Sequence, residues 1–329
     1  MYESFYGLHA KPFQLRPDPN FFFGSKGHKR AMSYLEYGLS QGEGFIVITG
    51  EVGAGKTTLV RNLFRKLESN RIIAAQIVNT HLNSDDTLRS VVAAFGLPFD
   101  DPSKTGLLAR FEQFLRYSDK QGKRVLLVVD EAQNLTPQTV EELRMLSNFQ
   151  TSEKSLLQTF LLGQPEFRRT LHSEDMQQLR QRVIATYHLG PMDAGETQAY
   201  IEHRLQTAGW KGDPVITPEA YAAIYDYSGG IPRKINTLCD RLFLMGYLEE
   251  LHQFNAEEVS EVIKDIQEEF TPPPPEMSAL PAYAAGIPRG FTDTAAENLE
   301  HLDERLSKIE RSVTSVLDVL KRLISTSKI

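Results

Sequence analysis

The chain has 329 residues, 41% of them hydrophobic and 24% charged, with Lys plus Arg at 36 against Asp plus Glu at 43 and a formal net charge of −7. This is apolar mass for about two compact units, and an acidic balance with a pI near 5.7 lacks the overall basic footprint of a nucleic-acid binder, leaving only a local basic patch open. The single cysteine, Cys239, excludes an internal disulfide and a multi-cysteine metal site and fits a reducing compartment. No apolar run approaches the ~20 residues that span a bilayer, and the opening MYESFYGLHAKPF has no apolar signal region, so the expected location is the cytoplasm or, through another protein, the inner face of the cytoplasmic membrane.

In chain order, apolar runs at Phe45–Thr49, Ile72–Val78, Arg124–Val129, Leu157–Leu162 and Ala185–Leu189 predict five strands. Helical patterns such as Lys56–Glu68 and Thr136–Asn148 lie between them, and apolar strands separated by helices predict an α/β fold, a parallel sheet covered on both faces. After Pro191 the strands are expected to stop. Glu196–Gly209, Thr217–Ser228, Pro232–Glu249 and Asn255–Glu269 read as helices, with Thr217 and Asn255 as N-caps. The run TPPPPEM cannot join a helix and predicts a semi-rigid linker. Beyond it, Leu299, Leu302, Leu306, Ile309, Val313, Val316, Leu320 and Leu323 alternate by three and four, the a/d pattern of a coiled-coil helix. The expected organisation is a core over 1–191, a helical lid over 192–270, a linker over 271–293 and a coiled-coil helix over 294–329.

Two motifs carry chemistry. Gly50, Glu51, Val52, Gly53, Ala54, Gly55, Lys56 and Thr57 fit GxxxxGK[ST] after a strand and before a helix, with Thr58 on the same first turn. Glycines let consecutive N–H groups turn around phosphate oxygens, and the helix start adds partial positive charge. Lys56 is expected at the β- and γ-phosphates, and the Thr57 hydroxyl on Mg²⁺. Asp130 and Glu131 follow the apolar strand ending at Val129. Asp130 is expected to act on Mg²⁺ through a water, and Glu131 to orient and polarise the attacking water. ATP and Mg²⁺ are therefore the expected ligands.

Together with the Gly230-Ile231-Pro232-Arg233 segment, these motifs resemble an AAA+ ATPase over residues 1–268. The opening MYESFYGLHAKPFQLRPDPNFFF, DEAQNL, LLGQPEF and YHLGPM resemble, more narrowly, the ATPase domain of the general secretion pathway protein A family, and within it the ATPases associated with exosortase A and PEP-CTERM sorting at exopolysaccharide export loci. The secretion relatives carry a transmembrane segment and a peptidoglycan-binding part after the ATPase domain. This sequence shows the Pro-rich linker and heptad helix there, which favours the exosortase-associated branch.

The resemblance implies further roles. Gln164 falls where sensor 1 lies, and Arg233 matches the sensor-2 arginine that touches the γ-phosphate. Arg180 and Arg182 lie where a neighbouring subunit receives an arginine finger, with the choice between them open. Asn79, ending the second strand, is a candidate to hold Glu131 inactive, or a turn residue. An oligomer is implied, with envelope or exopolysaccharide-export proteins as partners through the coiled coil.

Two other readings stand beside that ATPase. One is a nucleotide-gated assembly adaptor with little turnover; the other is a DNA-binding ATPase of the transposition type, against which the charge of −7 speaks. The aromatics Phe5, Tyr6, Phe13, Phe21, Phe22 and Phe23 are expected to seal the sheet edge, with one or two near a base. His9, His28, His81, His172, His188, His203, His252 and His301 show no metal-ligand spacing and receive no role. Cys239 reads as a small buried hydrophobe.

Overall fold

A computed structural model describes residues 1–67, 71–78, 84–100, 103–152 and 154–270. The elements in order are α1 (Tyr2–Phe5), α2 (Lys26–Gln41), β1 (Phe45–Gly50), α3 (Lys56–Lys66), β2 (Ile72–Ile77), α4 (Ser84–Ala94), α5 (Lys104–Lys120), β3 (Arg124–Val129), α6 (Pro137–Leu146), β4 (Leu157–Gly163), α7 (Pro165–Leu171), α8 (Gln177–Arg180), β5 (Val183–Leu189), α9 (Ala194–Thr207), β6 (Val215–Ile216), α10 (Pro218–Ser228), α11 (Pro232–Leu248), β7 (Gln253–Phe254) and α12 (Ala256–Phe270). The predicted linker and heptad helix, and Asn79, lie outside the described residues.

The five predicted strands form one sheet in the order β2-β3-β4-β1-β5, with every neighbouring pair parallel. Parallel pairing needs crossovers, which the intervening helices supply. β1 and β4 are buried along their whole length, because helices cover both faces. Phe45 and Val47 of β1 join Leu127, Val129 and Leu161 under α4 to α8. Ile46 and Ile48 point the other way, to Leu35, Leu59 and Leu63 of α2 and α3. Helix starts follow local chemistry: Thr136 caps α6 by accepting from the Thr139 N–H at 3.2 Å, and Asp193 and Glu196 close a capping box on α9.

After β5 the chain is mostly helical, and Thr217 caps α10 as expected, accepting from the Ala220 N–H at 3.3 Å. The expectation that strands stop there needs correction: β6 and β7 pair in parallel, a short clasp whose Ile216 and Phe254 join the helical core. The N-terminal aromatics also differ from expectation. Tyr2, Tyr6, Phe13 and Phe21 are buried among α9 to α12 rather than against the sheet edge. The reason is chemical fit: Tyr6 Oη donates to the Leu251 carbonyl at 2.8 Å and Tyr2 Oη to Asp240 at 2.6 Å, while their rings pack on Phe243. Residues 2–21 thus share the core of the helical part, although they begin the chain.

Candidate functional site

β1 delivers the phosphate loop, and α3 starts from it at Lys56. Gly53 (φ 83°) and Gly55 (φ 98°) adopt left-handed backbone, which glycine enters without steric cost. Space is as limiting as φ. A Cβ on Gly55 would meet His28 Nε2 at 2.7 Å, and one on Gly53 would meet Arg233 Cβ at 2.3 Å. Lys56 is buried, and its Nζ donates to the Gly50 and Glu51 carbonyls at 2.7 and 3.0 Å. Burial pushes its pKa down, against the charges of Glu131, Asp130, Glu51 and Glu166. An incoming phosphate would exchange those two neutral acceptors for anionic ones.

β3 runs beside β4 and carries Asp130 to the loop. Asp130 is 2% exposed. Its Oδ2 accepts from Thr57 Oγ1 at 2.9 Å and from Gln76 Nε2 at 3.2 Å, and its Oδ1 from the Glu131 N–H at 3.0 Å. Burial raises its pKa, while the Thr57 and Glu131 hydrogen bonds pull it down. Among the described residues no group of three or more His, Cys, Asp or Glu could hold a metal ion. One carboxylate beside one hydroxyl would fit a magnesium ion shared with phosphates, which retains waters and does not need an all-protein cage.

Glu131 breaks the strand in left-handed backbone, φ 53° and ψ 41°, costing on the order of 1–3 kcal/mol for a non-glycine residue. Its Oε2 accepts from Gln133 Nε2 at 2.5 Å and Gln164 Nε2 at 3.2 Å. Gln164 follows β4, so the order β3-β4 brings it opposite Glu131.

A cavity of about 300 Å³ opens over these groups. It is lined by Lys56, Thr57, Thr58, Glu131, Gln164 and Arg233 together with residues 14–18 and 21–23, Tyr200, Arg204 and Asn236. Arg233 enters because α11 starts against the loop, its N–H donating to the Gly53 carbonyl at 3.2 Å. The predicted loop residues, Asp130, Glu131, Gln164 and Arg233 therefore meet in one place. Arg180 and Arg182 do not join them. Arg180 Nη1 donates to the Leu171 and Ser173 carbonyls at 2.6 and 3.1 Å, and Arg182 Nη1 to Ser147 Oγ at 2.8 Å.

Several residues at or beside the cavity carried no readable signal. His28, given no role from the sequence, is buried against the loop with Nδ1 2.7 Å from Ser25 Oγ, and burial holds its pKa down. Gln76 interrupts an otherwise apolar strand, a faint clue to its bond with Asp130. Arg204 is 6% exposed, with Nε bonded to the Pro12 carbonyl, Nη1 to Tyr200 Oη at 3.0 Å and Nη2 to the Gln14 carbonyl at 3.3 Å. Tyr200 in turn donates to Asn236 Oδ1 at 2.9 Å. These bonds fasten the N-terminal segment to the helical part, and Gln14 and Arg204 line the same cavity as the phosphate loop. In sequence, Arg204 is the one arginine of a helical stretch, with nothing to mark it from a surface residue.

Residues 39–171 match the AAA domain family. Over 261 residues the chain is 40% identical to general secretion pathway protein A of Aeromonas hydrophila, which covers 79% of this chain and 47% of that protein; the chain spans about half the length of this curated relative. The ORC2 protein of Aeropyrum pernix, solved in ADPNP–ADP complexes, matches with a TM-score of 0.59 at 16% identity, over 78% of this chain and 71% of that one. The RuvB Holliday junction branch migration motor of Thermotoga maritima matches with a TM-score of 0.51 at 20% identity, over 74% and 70%. At these identities the likeness is one of fold, the P-loop AAA fold.

Proposed function

We propose that this chain, which carries an AAA domain and is related to general secretion pathway protein A, binds ATP with Mg²⁺ and hydrolyses it to power or regulate an envelope-associated assembly. The observation that carries the reading is that Lys56, Thr57, Glu131, Gln164 and Arg233 line one cavity, with Asp130 bonded to Thr57 and Gln164 to Glu131. In this reading Lys56 and the loop N–H groups bind the β- and γ-phosphates, and Thr57 and Asp130 hold the cation. Bound there, Mg²⁺ neutralises charge building on the phosphate oxygens. Glu131 takes the proton of the attacking water, and Gln164 and Arg233 contact the γ-phosphate. The test is phosphate release from ATP by the purified chain with Mg²⁺ and with excess EDTA. Release only with Mg²⁺ supports the reading; none under either condition, with ATP still bound, would favour the nucleotide-gated adaptor.

Arg180 and Arg182, away from the cavity of their own chain, fit a finger given to a neighbouring subunit. An arginine offers a fixed cationic fork to transition-state charge, an effect of about 10³–10⁵ in GTPases. Arg180→Ala or Arg182→Ala protein is expected to regain turnover when mixed with Glu131→Gln protein, since mixed interfaces join an intact finger to an intact base. No recovery in assembled mixtures would remove the finger from the mechanism.

The step to the cell envelope is supported by the 40% identity to a secretion-pathway protein. The exosortase and exopolysaccharide link is supported by the resemblance of the opening segment and the DEAQNL, LLGQPEF and YHLGPM stretches, and by the Pro-rich linker and heptad pattern that follow. Location at the inner face of the cytoplasmic membrane belongs to the same proposal; among the described residues no helix is long and apolar enough to cross a membrane. Deleting residues 294–329 is expected to leave ATP binding intact while lowering self-association or membrane recruitment. A truncated chain that sediments and localises like the full one would remove the heptad segment as the assembly element.

A further inference from the structure

We propose that Gln133 is a positioning residue, an amide bridge that joins the carboxylate of Glu131 to the residue that reads the γ-phosphate, Gln164. Both ends of its side chain are engaged. Nε2 donates to Glu131 Oε2 at 2.5 Å, and Oε1 accepts from the Gln164 N–H at 3.0 Å. The orientation of the amide is dictated by its partners, because a backbone N–H only donates and a carboxylate only accepts. The Gln164 side chain closes the figure, its Nε2 reaching the same Glu131 oxygen at 3.2 Å.

The backbone explains why Gln133 can do this. An extended chain would turn residue 133 away along the direction of β3. The left-handed Glu131 instead starts a tight turn over Ala132–Asn134, with the Asn134 N–H donating to the Glu131 carbonyl at 3.0 Å. Ala132 is fully buried and Leu135 is 6% exposed, so the turn is pinned to the core at both sides of Gln133. The amide is thereby folded back over the carboxylate two residues before it.

This arrangement gives the two glutamines different tasks. A γ-phosphate oxygen competes with Glu131 Oε2 for the Gln164 amide, so a phosphate that takes it withdraws one donor from the carboxylate. The Gln133 donor stays, because the turn and the Gln164 N–H fix it independently of the Gln164 side chain. Glu131 then keeps its orientation while it becomes a better acceptor for the proton of water. Gln133 links sensing to hydrolysis by holding the base still while its neighbour moves.

The inference rests on the reading of Glu131 as the base, and the test separates the two. Kinetics of the full chain with Mg²⁺ and ATP are compared for Gln133→Ala, Gln133→Glu, Glu131→Gln and the Gln133→Ala/Glu131→Gln double variant. Gln133→Glu keeps the acceptor for the Gln164 N–H and loses the donor to Glu131. Both single Gln133 variants are expected to lose roughly tenfold or more in kcat, the size of one hydrogen bond to a charged group, with KM for ATP within about twofold of the parent. In the Glu131→Gln background, Gln133→Ala is expected to change the residual rate by less than about twofold, because partners acting as one unit are not additive. A parental kcat in the Gln133 variants, a loss confined to KM, or the full loss repeated without Glu131 would each overturn the bridge. Parental turnover in Glu131→Gln alone would instead overturn the base. If the alanine variant fails to melt cooperatively, the glutamate variant decides by the same kcat and KM criteria, with its own double variant.

Discussion

Glu131→Gln protein is expected to bind ATP and, if Glu131 is the base, to turn it over roughly 10²- to 10⁴-fold more slowly, the usual contribution of a positioned general base. The substitution preserves shape and a hydrogen-bonding end, so the turn over Ala132–Asn134 and the Asp130 contacts persist. What it removes is the capacity to accept a proton. It also places an amide against the amides of Gln133 and Gln164, which now donate to Glu131 Oε2, so some local rearrangement accompanies the chemical loss. Measuring ATP-analogue affinity and single-turnover phosphate release on the same sample separates the two. Parental affinity with slow release is the expected pair; parental release would exclude Glu131 from the chemistry.

Lys56→Ala protein is expected to lose ATP affinity by on the order of 10²- to 10³-fold, about 3–4 kcal/mol. Two charge-assisted contacts to phosphate, each worth roughly 1.5–3 kcal/mol, set that size. The fold should tolerate the change, because the ammonium's bonds are to the Gly50 and Glu51 carbonyls, at the end of β1 and the first residue of the loop. Burial lowers its pKa, so a bound anion would offset the cost of holding this cation in the folded chain. Titration with a fluorescent ATP analogue, alongside a thermal melt, reads both effects. Unchanged affinity in a folded variant would overturn the assignment of the phosphate loop.

The local part of this site was legible in the sequence because its chemistry is local. Residues 50–57 are consecutive, and the turn they form depends on glycines at fixed offsets between a buried strand and a helix start. An apolar run ending in Asp130 and Glu131 likewise announces its carboxylates at a strand's end. Arg233 was reached differently, through the resemblance of the Gly230–Arg233 segment to a sensor-2 motif.

Strand order decided the rest. Thr57 meets Asp130 across 73 residues and Gln164 meets Glu131 across 33, distances at which no periodicity informs, and the pairing of β3 with β4 is what closes the second. Gln133 was visible in the motif and silent about its task, because its two partners converge only when a left-handed Glu131 turns the chain back. The N-terminal segment shows the limit most clearly. By position in the chain, its aromatics belong with the sheet. Tyr6 bonds to the carbonyl of Leu251, 245 residues on, and Arg204 to that of Pro12, 192 residues back. The sequence alone determined which chemistry this protein carries at its phosphate loop. Which distant side chains complete the cavity was decided only by tertiary packing, since buried polar groups take whichever partners the packed elements bring within hydrogen-bond reach.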